Sequence, residues 1–218
     1  YYKIYSFFSS LLFFIPVLLT IYINRGITTE KVLLIEACYN FTIFLFEVPT
    51  GYFGDKFGHD KSVYIGLIGT TISYVIFAFS MNLTFMIISQ VLLAFFSTFI
   101  SGSDLGSLAT YMEKDDKIDT LKVQEDIYAI NTIAKLFSFL VSGIILSINE
   151  RGTVIFLLTA AIYFMSAIVY MLFVHSKKKY SVIKDKDTIE EKNQNKLGRI
   201  KLSILKEVLI CGILLGIL

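Results

Sequence analysis

The chain has 218 residues, 55% of them apolar, with a mean hydropathy of +0.68 and a formal net charge of only +2. A water-soluble fold of this size has nowhere to hide so much apolar surface, and the small net charge excludes a general attraction to nucleic acid or acidic substrates. Both cysteines, Cys38 and Cys211, fall inside apolar runs without metal-ligand or disulfide spacing and read as small buried apolar residues.

A hydrocarbon core of about 30 Å is crossed by about 20 residues of helix. Six windows of that length carry few charges, and they run from Tyr5 to Ile23, Val32 to Phe53, Ser62 to Met81, Leu83 to Leu108, Ile127 to Ile148 and Thr153 to Val174. A seventh begins near Leu202. Helix is dictated because backbone amides in hydrocarbon must be satisfied within the segment, and these runs are too long and too uniformly apolar for barrel strands. The expected fold class is all-α, a polytopic transmembrane bundle with a six-span domain over 1–174, a hydrophilic linker over 175–201 and the start of span seven over 202–218. The first run is too long for a signal-peptide core and lacks a small-residue cleavage site, so it is expected to stay in the membrane.

The connecting segments alternate in charge. Those on one side hold only Arg25, Lys31 and Arg151, whereas those on the other hold fifteen lysines and arginines, from Lys3 through Lys56, Lys61 and Lys122 to the cluster between Lys177 and Lys201. The positive-inside bias then places the amino terminus and the 175–201 linker in the cytoplasm, with the plasma membrane as the expected location. Tyr5, Tyr22, Tyr52, Tyr64, Tyr111, Tyr128 and Tyr170 stand near span ends, as an interfacial aromatic belt requires.

Ionisable and amide side chains are costly in hydrocarbon and turn toward protein or water. In span two, Glu36, Asn40 and Glu47 fall within about 40° of one another on a helical projection. Gln90, Ser97, Ser101 and Asp104 make a second stripe in span four, and Asn131, Lys135, Ser138 and Ser142 a third in span five. Three polar stripes on apolar helices predict a shared wet cavity bordered by Asn40, Glu47, Gln90, Asp104, Asn131 and Lys135, although the serines serve equally for close helix packing. Lys135 lies roughly 12 Å into its span, too deep for full snorkelling, so a pair with Asp104 or Glu47 is expected. Glu36, nearer the outer interface, ranks below Glu47.

Between spans two and three the chain reads Glu47-Val-Pro-Thr-Gly51-Tyr-Phe-Gly-Asp55-Lys56-Phe-Gly58-His59-Asp60-Lys61. This resembles the signature loop of the major facilitator superfamily, with matches at Gly51, Asp55, Lys56, Gly58 and Lys61 and the expected position on the cytoplasmic side. Gly51 would let another helix approach, Gly58 would permit positive φ, and Asp55 would accept from helix-terminal amides. The resemblance implies an amino-terminal half of six spans, a basic loop and span seven, followed by a missing carboxyl-terminal half, since such proteins consist of two six-helix halves with the site near the midplane. It further implies that the loop latches the halves at their cytoplasmic ends. Ser101-Gly102-Ser103-Asp104 is similar to a small-residue stretch of drug-exporter-like members.

The chain departs from that pattern at three places. His59 and Asp60 replace a further basic residue, Gln90 and Ala94 stand where drug exporters often carry arginine and glycine, and Ser142-Gly143-Ile144 lacks the glycine-proline pair of many antiporters. No phosphate-binding glycine loop, metal-ligand cluster or activated nucleophile is present, which leaves enzyme and ATP-driven classes without support, and no cofactor is expected. The expected function is a secondary transporter moving a small organic solute, outward rather than inward, within the lipid bilayer and with protons as a candidate coupling ion. Uptake by symport or facilitated diffusion, and a receptor or scaffold that keeps the fold without transport, are the alternatives.

Overall fold

The computed structural model describes residues 1–112 and 120–176. The helices are α1 (Tyr2–Ser9), α2 (Leu18–Asn24), α3 (Thr29–Phe57), α4 (His59–Phe79), α5 (Leu83–Ser101), α6 (Asp104–Met112), α7 (Thr120–Ile148) and α8 (Thr153–Ser176). Five stretches are long and apolar enough to cross a membrane, namely α3, α4, Leu83–Ala109 across α5 and α6, Leu121–Ile148 within α7, and α8. Among the described residues there is no strand. The fold is thus the expected all-α membrane bundle. Lys114, Lys117, the basic cluster from Lys177 and the start of span seven with Cys211 lie outside the described residues.

The first span differs from its expectation. Hydropathy reads Tyr5 to Ile23 as one helix, but α1 ends at Ser9, and a 3-10 turn at Ile15–Val17 leads into α2. Pro16 sits in that turn, has no amide hydrogen to continue a ladder, and disfavours helical backbone just before it. Short bonds partly replace the missing ladder, from Leu11 N–H to Phe8 O, Ile15 N–H to Leu12 O and Val17 N–H to Phe14 O. Irregular backbone at membrane depth is tolerated where protein or a cavity surrounds it, and here it is surrounded by Phe14, Phe156, Tyr74 and Tyr163.

Local chemistry starts and stops the other helices. The Asn82 side chain accepts from Phe85 N–H at the start of α5, and Asn149 Oδ1 accepts from Thr153 N–H at the start of α8. Gly58, with φ of 102°, breaks the chain between α3 and α4 in a conformation that a side chain resists. At 29 residues α3 is about 43 Å long and projects beyond the hydrocarbon. Helix α4 lies close on α5 because Gly66 and Gly69 leave room for Phe96, Phe99 and Ile100.

Tyr5, Ile21, Tyr22, Ile35, Leu67, Phe77, Met86, Ile155, Phe156 and Tyr170 are fully buried and form the core. This corrects the aromatic belt: Tyr52, Tyr64 and Tyr128 are exposed, but Tyr5, Tyr22 and Tyr170 are packing residues. Cys38 is half-buried. Helices α3 and α7 bury least, and their exposed Phe44, Val48 and Leu140 form apolar surface suited to lipid or to further helices.

Candidate functional site

A cavity of about 260 Å³ opens between the broken first span and helices α3, α4, α5 and α8. Leu12, Phe14 and Leu18 come from the break, Glu36 and Tyr39 from α3, Thr70 and Tyr74 from α4, and Tyr163 from α8. Gln90, Leu93, Ser97, Ile100 and Ser101 follow one face of α5 at helical spacing. Glu36 and Gln90 each stand seven residues from the start of their helices, so both lie about 10 Å along them.

The polar atoms of this cavity divide into satisfied and unsatisfied groups. Gln90 Nε2 donates to the Tyr22 hydroxyl at 2.7 Å, and that hydroxyl neighbours the Glu36 carboxylate. The Tyr163 hydroxyl donates to Ser9 O at 3.0 Å, supplying one carbonyl that the truncated α1 leaves free. Ser97 and Ser101 donate to backbone carbonyls of their own helix. Glu36 Oε1, Thr70 Oγ1 and Gln90 Oε1 are buried without a hydrogen-bond partner. Three such atoms around one void are unusual, because buried polar groups are nearly always paired.

The residues expected to share one cavity are not brought together. Gln90 lines it, whereas Asn40 is exposed and donates to Glu36 O of its own helix. Asp104 accepts from the Tyr2 hydroxyl at 2.8 Å and Asn131 Oδ1 from Ser6 Oγ at 2.9 Å, so both hold α1 in place. Glu47 and Lys135 are exposed on α3 and α7, and no ion pair joins Lys135 to Asp104 or Glu47 among the described residues. Helical phase located the polar face of α3 but not its depth: Glu47 stands about 16 Å along the axis from Glu36, beyond the cavity. Glu36, ranked below Glu47 in the sequence, lines the cavity, and Glu47 does not. Ser138 and Ser142 are buried and donate to carbonyls of α7, which is the packing role.

Thr70, Tyr39, Tyr74 and Tyr163 were missed in the sequence. A weak signal existed, since Thr70 with Tyr74 and Glu36 with Tyr39 stand four and three residues apart on apolar helices. Arg25, read only as a loop charge, was missed as well. Its guanidinium donates to Phe77 O, Ala78 O and Ser80 O at the end of α4 and to Arg151 O, while lying over the rings of Phe77 and Phe156. It caps the carbonyls that the last turn of α4 leaves free. Burial pushes its guanidinium down to about 10, which leaves it charged at neutral pH.

At the other end of α4, Gly102 lies close against Gly51, since a Cβ on Gly102 would sit 3.3 Å from Gly51 Cα, whereas a Cβ on Gly51 would meet nothing within 4 Å. Asp55 is exposed and faces His59 Nε2 at 3.6 Å rather than helix-terminal amides. His59 packs on Gly54 and Gly106. Asp60 accepts from Ser107 Oγ at 2.5 Å, and Tyr170 donates to Ser107 at 2.9 Å. The two departures from the signature loop are thus tied into α6 and α8. Lys56 lies near the rings of Tyr52 and Phe57, and Lys61 is exposed.

The sequence model of the Major Facilitator Superfamily matches residues 4–218, nearly the whole chain. The chain belongs to the major facilitator superfamily. It is accordingly a multi-pass membrane protein of a transporter family, with a helix bundle that agrees with that membership. A search of curated proteins finds no match to the chain.

Proposed function

We propose that the protein is a secondary transporter that moves a small organic solute outward across the plasma membrane by alternating access. The observation that carries the reading is the cavity beside the interrupted first span, with Glu36, Gln90 and Thr70 presenting unpaired oxygen atoms inside otherwise apolar helices. Discontinuous helices at membrane depth are a recurring way of building transporter sites, because the interruption exposes polar groups where ligand enters. Asn40, Glu47 and Lys135, exposed on α3 and α7, would border the rest of the passage, since charge at that depth turns away from hydrocarbon. Asp104 and Asn131 would hold α1 against α6 and α7 beside it.

Gly51, Asp55, Lys56, Gly58 and Lys61 would form the cytoplasmic latch between this half and a carboxyl-terminal half. The fifteen-to-three bias of basic residues supports a cytoplasmic amino terminus and linker. Everted vesicles bearing the full-length protein, given a proton gradient and a panel of labelled solutes, test the reading. Accumulation that collapses with the gradient is expected for proton antiport. Counterflow without gradient dependence would replace antiport by facilitation, and no flux of any solute would overturn the transporter reading.

A further inference from the structure

We infer that the cavity of about 260 Å³ is a binding site for a small organic ammonium ion, held by Glu36 Oε1 and Gln90 Oε1 and stacked against tyrosine rings. The inference rests on the transporter reading only in making that ion the transported solute.

The hydrogen-bond inventory of the cavity selects the charge of its ligand. Its donors are largely spent, on Tyr22 by Gln90, on Ser9 O by Tyr163, and on carbonyls of α5 by Ser97 and Ser101. What remains is acceptor capacity, a carboxylate oxygen and an amide oxygen that are both buried and unpartnered, with the Thr70 hydroxyl beside them. An anion would find only the Thr70 hydroxyl as a donor and would face the Glu36 and Gln90 oxygens, which it cannot bond, whereas an ammonium supplies the N–H groups that both oxygens lack.

Charge points the same way. Among the described residues that line the cavity there is no lysine, arginine or histidine, so none of them gives Glu36 a counter-charge there. Glu36 is half-buried with Oε1 withdrawn from solvent, and a cation that reaches that oxygen stabilises the carboxylate. Tyr39, Tyr74 and Tyr163 add rings for cation–π contact, and Tyr74 and Tyr163 pack edge-to-face at 5.1 Å. Leu12, Phe14, Leu18, Leu93 and Ile100 supply an apolar wall for the body of the ligand. The volume falls just below the range of about 300–1,000 Å³ usual for drug-sized ligands, which limits the ion to a compact amine.

The test uses the full-length protein in lipid nanodiscs and three probes of one shape, the cation 2-phenylethylammonium, the neutral 2-phenylethanol and the anion phenylacetate. Calorimetric titration should show the ammonium binding about tenfold or more tighter than the alcohol, and no binding of the carboxylate. Glu36→Gln should remove that tenfold preference and leave the alcohol unaffected, while Glu30→Gln, on the exposed first turn of α3, should change nothing. Thr70→Val removes an unpartnered hydroxyl at equal volume and should weaken the ammonium about threefold, which keeps the inference testable should Glu36→Gln misfold. Equal affinity for ammonium and alcohol in the parent, or no ammonium binding at about 10 mM, would overturn it. Flux in proteoliposomes separates the two readings. Transport of neutral or anionic solutes without ammonium binding sinks this inference alone, and Glu36-dependent ammonium binding without flux of any solute sinks the transporter reading alone.

Discussion

The Gln90 amide donates to the Tyr22 hydroxyl at 2.7 Å, and that bond fixes which of its atoms faces the cavity. With the nitrogen committed to Tyr22, the amide oxygen is the free end, and the Tyr22 proton is left for the neighbouring Glu36. Removing Tyr22's hydroxyl should therefore disturb two residues at once. Tyr22→Phe is expected to destabilise the protein by about 1–3 kcal/mol, through a buried amide left without its acceptor. The melting temperature of the purified protein checks this, and an unchanged value would show that water replaces the hydroxyl.

Arg25 supplies a second test. Its fork reaches four carbonyls that belong to the end of α4 and to the turn before α8, in a pattern a lysine ammonium cannot copy. Arg25→Lys should cost about 2–4 kcal/mol and Arg25→Met at least as much, both read as lowered thermal stability. Equal stability of the lysine variant and the parent would reduce Arg25 to a surface charge.

Gly58 and Gly51 should behave differently although both belong to one motif. A Cβ at Gly58 meets nothing within 4 Å, but φ is 102°, so Gly58→Ala should cost about 1–2 kcal/mol through backbone strain alone. Gly51 is helical with equally open space, and Gly51→Ala should fold as well as the parent or up to about 1 kcal/mol better. Flux measured beside melting temperature makes the comparison informative. A well-folded Gly51→Ala protein that fails to transport would place the need for glycine in another conformation.

Glu47 and Lys135 have no ion-pair partner among the described residues and are exposed, so they contribute little to this fold. Glu47→Gln and Lys135→Met should each alter stability by no more than about 0.5 kcal/mol while reducing flux severely. Wild-type flux in both variants would remove them from the passage, and loss of folded protein would reveal a pairing made elsewhere.

Much of the fold was legible because long apolar runs have few physical solutions. The spans that became α3, α4, α7 and α8 follow from hydropathy, and Asn82 and Asn149 mark helix starts that the sequence displays openly. The interruption at Pro16 escaped a window that averages hydropathy, since proline breaks the hydrogen-bond ladder without making the stretch polar. Tyr5, Tyr22 and Tyr170 were misassigned because a tyrosine suits an interface and a buried hydroxyl contact equally well. Of the candidate cavity, helical phase marked Gln90, Ser97 and Ser101 on one stripe of α5 and Glu36 on α3, but not Thr70 or the tyrosines. Helical phase is blind to a partner's identity, and Asp104 and Asn131 accept from the hydroxyls of Tyr2 and Ser6 instead of lining the cavity.

The gap between α1 and α2 divides the first span into two levers with separate anchors. Helix α1 is tied at Lys3 to Asp126 and at Tyr2 to Asp104, and α2 at Asn24 to Glu150 and at Arg25 to the end of α4. A rotation of α1 about its own axis would be taken up by the non-helical residues before Pro16 rather than passed as torque to Tyr22. Under the transport mechanism proposed above, opening at one membrane face would leave the cavity beside the other segment in shape, a division of labour that an unbroken rod would not allow.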